Sequence, residues 1–454
     1  MHYLFCYDAP IADTEASILR WPRAVFSWPE TLPNFRDGDS VESSTQPTIE
    51  IDSYRLNKRI QDISEIGSTL NGGSNRQALT DEDAKARELF INWCESSACT
   101  VRVDAMGNIF ARRGGSNPEA DPVLIGSHLD TQPTGGRFDG VYGVLAGLEV
   151  IETLNDSQVQ TEAPIEVVVW TNEEGCRFDT PSMGSSVWAG VMPQTEAYVQ
   201  QDVEGHSVMS ELARIGYLGE TPAQPFPFRA AFELHIEQGP LLEQQDTLIG
   251  IVVGTQHMSR HRLTIFGQEA HAGTTPMSMR RDPVRALSSM LPKFYSVADG
   301  HGPHSRITFG QISCLPGAVN TVPGKVEVRI DLRDPRPDIH DTMADGLRGI
   351  VESCCSETGL EFAFDKYWEK PGVDFDRRCI QSVKNAAAHC GYTSMEIISG
   401  ALHDACNLSL HGPTSMIFIP CKDGLSHNER EYAHPNHIAA GGNVLLHAVL
   451  KHAL

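Results

Sequence analysis

The hydrophobic pattern divides the chain into parts that contain different kinds of sheet. Val123–Ile125 and Val167–Trp170 are short, continuous apolar runs, which are typical of central strands buried on both faces. Val141–Leu154, between them, has the apolar spacing of a helix, so the three elements form a strand–helix–strand unit. In contrast, Val326–Arg333 alternates strictly between apolar and charged residues, as in an antiparallel strand with one solvated face.

The alternating strand lies in a region whose predicted elements follow the order β-α-β-β-α-β. Arg262–Phe266 and Arg306–Ile312 have the composition of strands. Helical spacing covers Pro283–Ala298, where Pro292 is expected to kink the helix or end it early, and Ile339–Glu357. This order predicts an α+β domain of the ferredoxin-like type, inserted into a larger α/β fold.

These patterns predict three parts of the chain. Residues 1–50 are rich in Pro, Ser, Asp and Glu after Pro29 and lack periodicity, so they are predicted to form an N-terminal extension. Residues 51–251 and 369–454 are predicted to form the α/β domain, a mixed sheet flanked by helices, and residues 252–368 the inserted domain. Within the larger domain, Thr80–Asp83 resembles a capping box that opens a helix.

Composition excludes several classes of protein. The 454 residues carry a net charge of −23, which argues against binding to nucleic acid or to an anionic membrane surface. No apolar stretch approaches about 18 residues, so no transmembrane helix is expected. The 11 cysteines are odd in number and form no CxxC pair, which predicts reduced thiols in a cytoplasmic protein.

Polar residues suited to metal binding follow the two apolar strands. His128 and Asp130 come directly after the first strand, and Asp139 follows nine residues later. Glu173 and Glu174 follow the second strand and, being adjacent, point differently, so that one can bind metal while the other acts as a base. Because sites in such sheets lie outside the carboxyl ends of the strands, we expect these side chains to meet.

Two further ligands are needed to hold two cations, and two imidazoles are candidates. His235 lies in the segment ELHIEQGP, and His427 lies in DGLSHNE. With His128, Asp139 and one of the adjacent glutamates, they give nitrogen and oxygen donors without a thiolate. Such a set suits Zn²⁺, and also Mn²⁺, Co²⁺ or Ni²⁺. Two divalent cations side by side can make water a nucleophile near neutral pH.

Nine segments, in this order, resemble the amidase, hydantoinase/carbamoylase family of co-catalytic zinc peptidases. The likeness covers about residues 50–454 and is greatest to the fungal β-ureidopropionase (β-alanine synthase) and N-carbamoyl-L-amino-acid hydrolase branches. The segments are GSHLDT, GGRFDG, NEEG, ELHIEQGP, AHAGTTPM, PGAVNTVPG, LRDP, ALHDA and DGLSHNE.

The resemblance implies a role for each candidate residue. The implied metal ligands, with Asp139 bridging two zinc ions, are His128, Asp139, Glu174, His235 and His427. Asp130 would orient His128, Glu173 would be the general base, and His271 would stabilise an oxyanion, from the partner subunit in some relatives. The implied substrate-binding residues are Gln238, Asn320, Arg333 and His403. The resemblance also implies a homodimer formed through the inserted domain, which would act as a lid.

The implied reaction is hydrolysis of the carbamoyl C–N bond of a small ureido acid, such as N-carbamoyl-β-alanine or an N-carbamoyl-L-amino acid. The products would be the amino acid, carbon dioxide and ammonia. Three alternatives stay open: an allantoate amidohydrolase, a dipeptidase or aminoacylase of the same superfamily, and a non-catalytic dimeric binding protein. The last predicts loss of a ligand or of the base, and the sequence lacks none of them.

Some positions allow a simpler interpretation or depart from the family pattern. Arg333 suits a substrate carboxylate, but it could instead pair with Asp331 or Asp334. Leu402 stands where the family usually has glycine, which narrows the pocket or shifts a backbone N–H. Cys176 stands where serine or alanine is usual, and it either tunes the surroundings of Glu174 or is inert.

Overall fold

The computed structural model describes residues 49–454, so nearly all of the predicted N-terminal extension lies outside the described residues. The strands of this range are β1 (Thr100–Val103), β2 (Ile109–Arg113), β3 (Val123–His128), β4 (Ile165–Trp170), β5 (Ala230–Ile236), β6 (Ile249–Thr255), β7 (His257–Phe266), β8 (Ala270–His271), β9 (Arg306–Leu315), β10 (Thr321–Val322), β11 (Lys325–Asp334), β12 (Glu361–Lys370), β13 (Ser394–Ser399) and β14 (Thr414–Ile419).

The helices of the same range are α1 (Ser53–Ser64), α2 (Asp81–Ser96), α3 (Val141–Asp156), α4 (Met183–Trp188), α5 (Gln194–Val199), α6 (Val208–Arg214), α7 (Leu241–Gln244), α8 (Pro283–Asp299), α9 (Pro337–Thr358), α10 (Arg377–His389), α11 (Asp404–Leu408) and α12 (Pro435–Ala453). None of these helices combines the length and apolar character needed to cross a membrane.

A mixed eight-stranded sheet forms the larger part of the fold, in the order β1-β2-β4-β3-β5-β14-β6-β13. Its centre is parallel, because β3 pairs in parallel with β4 and β5, and β14 with β5. Alternate residues of β4 enter two different apolar clusters: Val167 packs on the side of α3 and α12, and Val168 on the side of Trp188 in α4. Burial on both faces explains why these strands are continuous apolar runs.

The elements predicted around the site are confirmed. The two apolar runs are β3 and β4, and the helix between them is α3. Thr80 caps α2, where its side chain accepts a hydrogen bond from the N–H of Asp83. The predicted α/β fold of a mixed sheet flanked by helices is therefore confirmed as well.

A second sheet, which we call the small sheet, has the order β12-β7-β11-β9, and its pairs are antiparallel. Helices α8 and α9 pack with its buried face in one apolar cluster, to which β11 contributes Val326 and Val328. The chain order β7-α8-β9-β11-α9-β12, with this strand order, is the predicted ferredoxin-like α+β arrangement. The chain leaves the large sheet after β6 ends at Thr255 and completes the small sheet at Lys370. The domain boundaries at residues 252 and 368 stay a prediction.

Helix α8 runs from Pro283 to Asp299 and contains Pro292 in its interior, so it does not end early at that residue. Proline removes one backbone donor and leaves the carbonyl four residues earlier, on Ser288, without its usual partner. Both Pro292 and Ser288 are exposed, so water can satisfy that carbonyl. The buried face of α8, formed by Ala286, Met290 and Phe294, continues past the proline.

Candidate metal centre

The candidate ligands gather at one edge of the large sheet, where parallel strands end. His128 is the last residue of β3, and His235 is the second-last residue of β5. Glu174 lies in the turn after β4, and His427 lies in the loop after β14. Asp139 stands immediately before Gly140, the N-cap of α3. Parallel strands bring their carboxyl ends to the same edge, which brings these five side chains together.

Asp139 lies between two groups of ligands. Its Oδ1 is 3.1 Å from Nε2 of His235 and 3.6 Å from Nε2 of His128. Its Oδ2 is 3.4 Å from Nε2 of His427, which is itself 3.3 Å from Oε2 of Glu174. Within each group the ligand atoms lie within 4.8 Å of one another. The arrangement has the form of two adjacent cation sites that share one carboxylate.

The orientation of the imidazoles fits metal binding. Nδ1 of His128 is 2.9 Å from the backbone oxygen of Asp130, and Nδ1 of His235 is 2.8 Å from the backbone oxygen of Ile236. A carbonyl only accepts hydrogen bonds, so Nδ1 donates in both rings, and Nε2, the nitrogen that faces Asp139, is the ring atom available to a metal. Three imidazoles and two carboxylates without a thiolate match the preferences of Zn²⁺ and similar divalent cations.

The pKa shifts in the cluster also indicate a site suited to divalent cations. Burial alone would raise the pKa of Asp139, but its contacts with the imidazoles of His128, His235 and His427 hold that pKa well below its usual range. The same contact with Asp139 raises the pKa of His427 to about 9. Burial, together with the nearby Asp139, raises the pKa of Glu174 to about 7. The cluster thus concentrates negative charge that either protons or divalent cations must neutralise.

Asp130 holds the turn that carries the two glutamates. Its carboxylate accepts hydrogen bonds from the backbone N–H of Glu173, at 3.2 Å, and of Glu174, at 3.1 Å. The Asp130 carboxylate is 3.9 Å from Nδ1 of His128, whereas its backbone oxygen is at 2.9 Å. The expected contact of Asp130 with His128 is therefore made by the main chain, and the side chain positions the glutamates instead.

Glu173 is buried beside the cluster, with 8% of its surface exposed. Its Oε2 is 3.5 Å from Nε2 of His128, and the hydroxyl of Ser182 donates to its Oε1 at 3.1 Å. Burial, opposed by the charge of His128 and supported by neighbouring carboxylates, raises the pKa of Glu173 well above its usual range. A carboxyl group with a raised pKa can both accept and return a proton near neutral pH.

Gln238 and His403 also adjoin the cluster. The amide of Gln238 donates to Oδ2 of Asp139 at 2.7 Å, and its own Oε1 is buried without a hydrogen-bond partner. The ring of His403 packs edge-on against His235, with centroids 4.7 Å apart, and its Nε2 is 3.0 Å from the hydroxyl of Ser399. Burial, together with the charge of His235, holds the pKa of His403 well below its usual range, so this imidazole is neutral.

The other three predicted residues belong to the small sheet and its loops. Nε of Arg333 is 2.6 Å from Asp331, and its Nη1 donates to the carbonyl of Gly400 at 2.7 Å. His271 ends β8 and Asn320 directly precedes β10, in a separate two-stranded sheet, and both side chains are exposed; the carbonyl of Asn320 accepts from the N–H of Ala272. In residues 49–454, no described hydrogen bond or ion pair joins these three to the metal cluster.

Two positioning residues were missed in the sequence. Glu431 accepts hydrogen bonds from the backbone N–H of Phe138, at 2.9 Å, and of Asp139, at 3.1 Å. The hydroxyl of Ser426 lies 2.8 Å from Asp139 and 2.9 Å from Glu431, so it bridges the two carboxylates. Both residues lie within four positions of His427, and this proximity was the only available signal.

The two departures from the family pattern leave the ligand set intact. Leu402 is half-buried directly before His403. Burial, with nearby carboxylates, raises the pKa of Cys176 to about 12, so this residue is a neutral thiol at neutral pH and not a thiolate ligand.

The sequence matches peptidase family M20/M25/M40 over residues 124–451. It is 42% identical over 407 residues to an N-carbamoyl-L-amino-acid amidohydrolase of Rhizobium meliloti, covering 89% of this chain and 97% of the relative. It is 36% identical over 403 residues to an N-carbamoyl-L-amino acid amidohydrolase of Geobacillus stearothermophilus, covering 88% of this chain and 98% of the relative.

Among solved structures, an amidase of the hydantoinase/carbamoylase family from Burkholderia multivorans is 46% identical, covers 90% of this chain and 99% of its own, and superposes with a TM-score of 0.86. These relatives support the resemblance to the amidase family, whereas the assignment to the fungal β-ureidopropionase branch stays a prediction. The chain therefore belongs to peptidase family M20/M25/M40, and it is similar to the hydantoinase/carbamoylase amidases.

Proposed function

We propose that this protein is a metal-dependent hydrolase that cleaves the carbamoyl C–N bond of N-carbamoyl amino acids. The products are the free amino acid, carbon dioxide and ammonia. The observation that carries the proposal is the carboxylate of Asp139, shared between two groups of ligands, with the buried Glu173 beside them. The activity for which the Rhizobium and Geobacillus relatives are named supports this choice of substrate class.

The proposed cofactor is a pair of divalent cations, Zn²⁺ in our assignment. His128 and His235 would hold one cation, Glu174 and His427 the other, and Asp139 would bind both. When bound, such a pair polarises a carbonyl group and lowers the pKa of water, so that water attacks near neutral pH.

The chain itself would manage the proton. Glu173 takes a proton from the attacking water and delivers it to the leaving nitrogen, which makes it the general base and then the general acid. The hydrogen bond from Ser182 fixes the orientation of its carboxyl group. Asp130 contributes indirectly, because it holds the backbone of Glu173 and Glu174 in place.

We propose that Arg333 binds the carboxylate of the substrate and that Gln238, Asn320 and His403 bind the rest of the molecule, while His271 neutralises the oxyanion. Residues 252–368 would form a lid domain, inserted between residues 51–251 and 369–454 of the catalytic domain. Because Arg333, Asn320 and His271 have no described contact with the metal cluster, lid closure would be needed to assemble the complete site.

We also propose a homodimer formed through the lid domain. Strand β9 is an edge of the small sheet, and it exposes Ile312 and Leu315. An exposed strand edge with apolar side chains is suited to pairing with a second copy of the chain. A cytoplasmic location is proposed from the cysteines, since those described are free thiols.

The proposed function is tested by measuring ammonia release. Purified protein loaded with Zn²⁺ or Mn²⁺ is expected to hydrolyse N-carbamoyl-L-amino acids or N-carbamoyl-β-alanine. Allantoate and dipeptides are included to test the alternatives. Cleavage of allantoate alone would indicate an allantoate amidohydrolase, and cleavage of dipeptides without carbamoyl compounds would indicate a dipeptidase. The ureido acid with the highest kcat/KM identifies the substrate.

Glu173→Gln tests the role of the base. The amide keeps the shape of the side chain but cannot accept the proton, so we expect turnover to fall by about 10²–10⁴-fold while the metal content stays at the wild-type value. Glu196→Gln, on the exposed side of α5, is the matched control and should keep full activity. Wild-type turnover in Glu173→Gln would refute the assignment of the base.

A further inference from the structure

The small sheet contains a second group of potential metal ligands, formed by elements that do not contribute to the Asp139 cluster. His257 begins β7, Glu369 lies near the end of the neighbouring strand β12, and His340 lies in the first turn of α9. One nitrogen or oxygen from each of these three residues lies within 4.8 Å of the other two. The rings of His257 and His340 are close, with centroids 4.4 Å apart.

These imidazoles are deeply buried, and their hydrogen bonds are incomplete. His257 is 9% exposed and His340 is 1% exposed. Nδ1 of His257 and Nδ1 of His340 have no hydrogen-bond partner. Polar atoms buried without a partner cost stability, and native proteins rarely keep two in one cluster without a ligand or water.

The remaining contacts engage the Nε2 atoms of the rings and leave both Nδ1 atoms without a hydrogen bond. Nε2 of His257 is 3.2 Å from Oε1 of Glu369. The hydroxyl of Ser259 is 2.8 Å from Nε2 of His340 and 2.7 Å from Nε2 of His261, so it can donate to one ring and accept from the other. The cluster therefore has coordinating capacity that the described side chains leave unused.

The charges around the cluster are mixed but include two carboxylates. Glu369 supplies one, and Asp341 supplies the other, at 3.5 Å from Nδ1 of His340. Lys366 opposes them, because its ammonium group lies 2.6 Å from Oε2 of Glu369. An open cavity of about 280 Å³ adjoins this group and is lined by His261, Asp341 and Lys366 among others, but not by His257, His340 or Glu369 themselves.

We propose that His257, His340 and Glu369 bind one divalent cation of the Zn²⁺ type, as a structural site separate from the pair at Asp139. Two imidazoles and a carboxylate are a common Zn²⁺ ligand set, with water completing the coordination shell. His257 begins the first strand of the small sheet, and Glu369 lies one residue before the end of the last. A cation bound here would fasten the start of β7 and the adjacent end of β12 to α9.

Metal content per chain tests the proposal. The full-length protein is stripped with a chelator, reloaded with Zn²⁺, freed of excess metal and analysed for zinc. The double variant His257→Gln, His340→Gln is expected to hold one equivalent fewer than the wild type. His261→Gln is the matched control, because it alters the same Ser259 network outside the ligand group and should keep the wild-type content. An unchanged content in the double variant would overturn the proposal.

A second variant guards against misfolding of the first. Glu369→Gln removes one charge without changing the size of the side chain, and we expect its affinity for Co²⁺, measured from the d–d absorption of this site, to fall at least about tenfold. Unchanged Co²⁺ affinity in Glu369→Gln would also refute the proposal. In both experiments the variant keeps the ligands of the Asp139 cluster, and only its metal binding is compared with that of the wild type. The outcome therefore does not depend on which reaction the protein catalyses.

Discussion

At the scale of single residues, the metal cluster depends on a backbone position that admits only glycine. Gly140 has a φ of +66°, a conformation that side chains disfavour, and a Cβ built there would lie 2.3 Å from the ring of His128. The imidazole would have to move away from Asp139. Close approach of the backbone to a ligand ring, and not flexibility, is therefore the reason for glycine at this position.

Gly140→Ala is accordingly expected to lose metal. We expect zinc content after gel filtration to fall by about one equivalent per chain, with loss of activity, because the added methyl group displaces His128. The matched control is Gly190→Ala, at a residue with a similar φ of +71°, where an added Cβ would have no atom within 4 Å. This control should lose about 1 kcal/mol of stability and keep its metal. Full zinc content in Gly140→Ala would contradict this explanation.

Single residues differ in how far the sequence predicts them. His128, Glu173 and Glu174 directly follow apolar strands, so period and position are enough to find them. Glu431 acts on backbone N–H groups almost three hundred positions earlier in the chain, and such a contact leaves no local pattern. The same limit applies to the lid residues, whose distance from the cluster depends on the arrangement of two domains.

At the scale of elements, an ion-pair network ties α6 to the loop before α2. Glu211, on α6, accepts hydrogen bonds from Arg214 at 2.9 Å and from Arg177 at 2.7 Å. The two arginines in turn donate to the backbone oxygens of Leu79 and Ala78. The hydrogen bond from Arg214, joined by that from Arg177 and opposed by burial, lowers the pKa of Glu211 below its ordinary 4.5.

Glu211→Gln is expected to lower the free energy of unfolding by about 2 kcal/mol near pH 7, because charge-assisted hydrogen bonds to two arginines are lost. In acid the unfolded chain takes up the proton first, so the contribution of this carboxylate is complete above pH 4.5 and is lost as pH falls through the lowered native pKa. We therefore expect urea denaturation to show a large difference in the free energy of unfolding between Glu211→Gln and wild type near pH 7, and a small difference near pH 3.

The exposed pair of Glu82 and Lys85 on α2 offers the control. Its nitrogen and oxygen are 3.8 Å apart, so Glu82→Gln should change stability by less than about 0.5 kcal/mol. A Glu211→Gln difference that is the same at both pH values would show that packing, and not charge, accounts for the loss.

Elements were predicted best where burial imposes a strong period. Strand β11, helix α3 and helix α9 follow their patterns closely, and each packs one or both faces against a core. The short helices α4, α5 and α6 were not predicted, because six or seven residues are too few for a helical period to appear. Helix α8 does not end early at Pro292, where solvent can satisfy the carbonyl that the proline leaves without a donor, while a kink at this residue stays a prediction.

At the scale of the whole molecule, the proposed dimer makes a prediction about which chain supplies His271. If His271 acts on the partner's metal cluster, mixing inactive Glu173→Gln chains with inactive His271→Ala chains restores one complete site in each mixed dimer. We expect about a quarter of wild-type activity after random reassociation, since half of the dimers are mixed and each has one of two sites complete.

Activity of the reassociated mixture is measured against each variant alone. A mixture that stays as inactive as its components, while gel filtration and subunit exchange confirm mixed dimers, would contradict action across the interface. Mixing Glu173→Gln with itself under the same conditions controls for activation by the exchange procedure.

The hydrogen bond from Arg333 to the carbonyl of Gly400 has a consequence for the choice of substrate. In this structure the guanidinium already has a carboxylate, Asp331, and a backbone oxygen as acceptors. An incoming molecule therefore meets a guanidinium that is already partly paired, with one N–H on Nη1 and one on Nη2 left to donate. A neutral amide gains little from these two donors, whereas an anion with two oxygens gains a forked pair of hydrogen bonds. Discrimination against uncharged ureas would thus be built into the resting arrangement of the arginine.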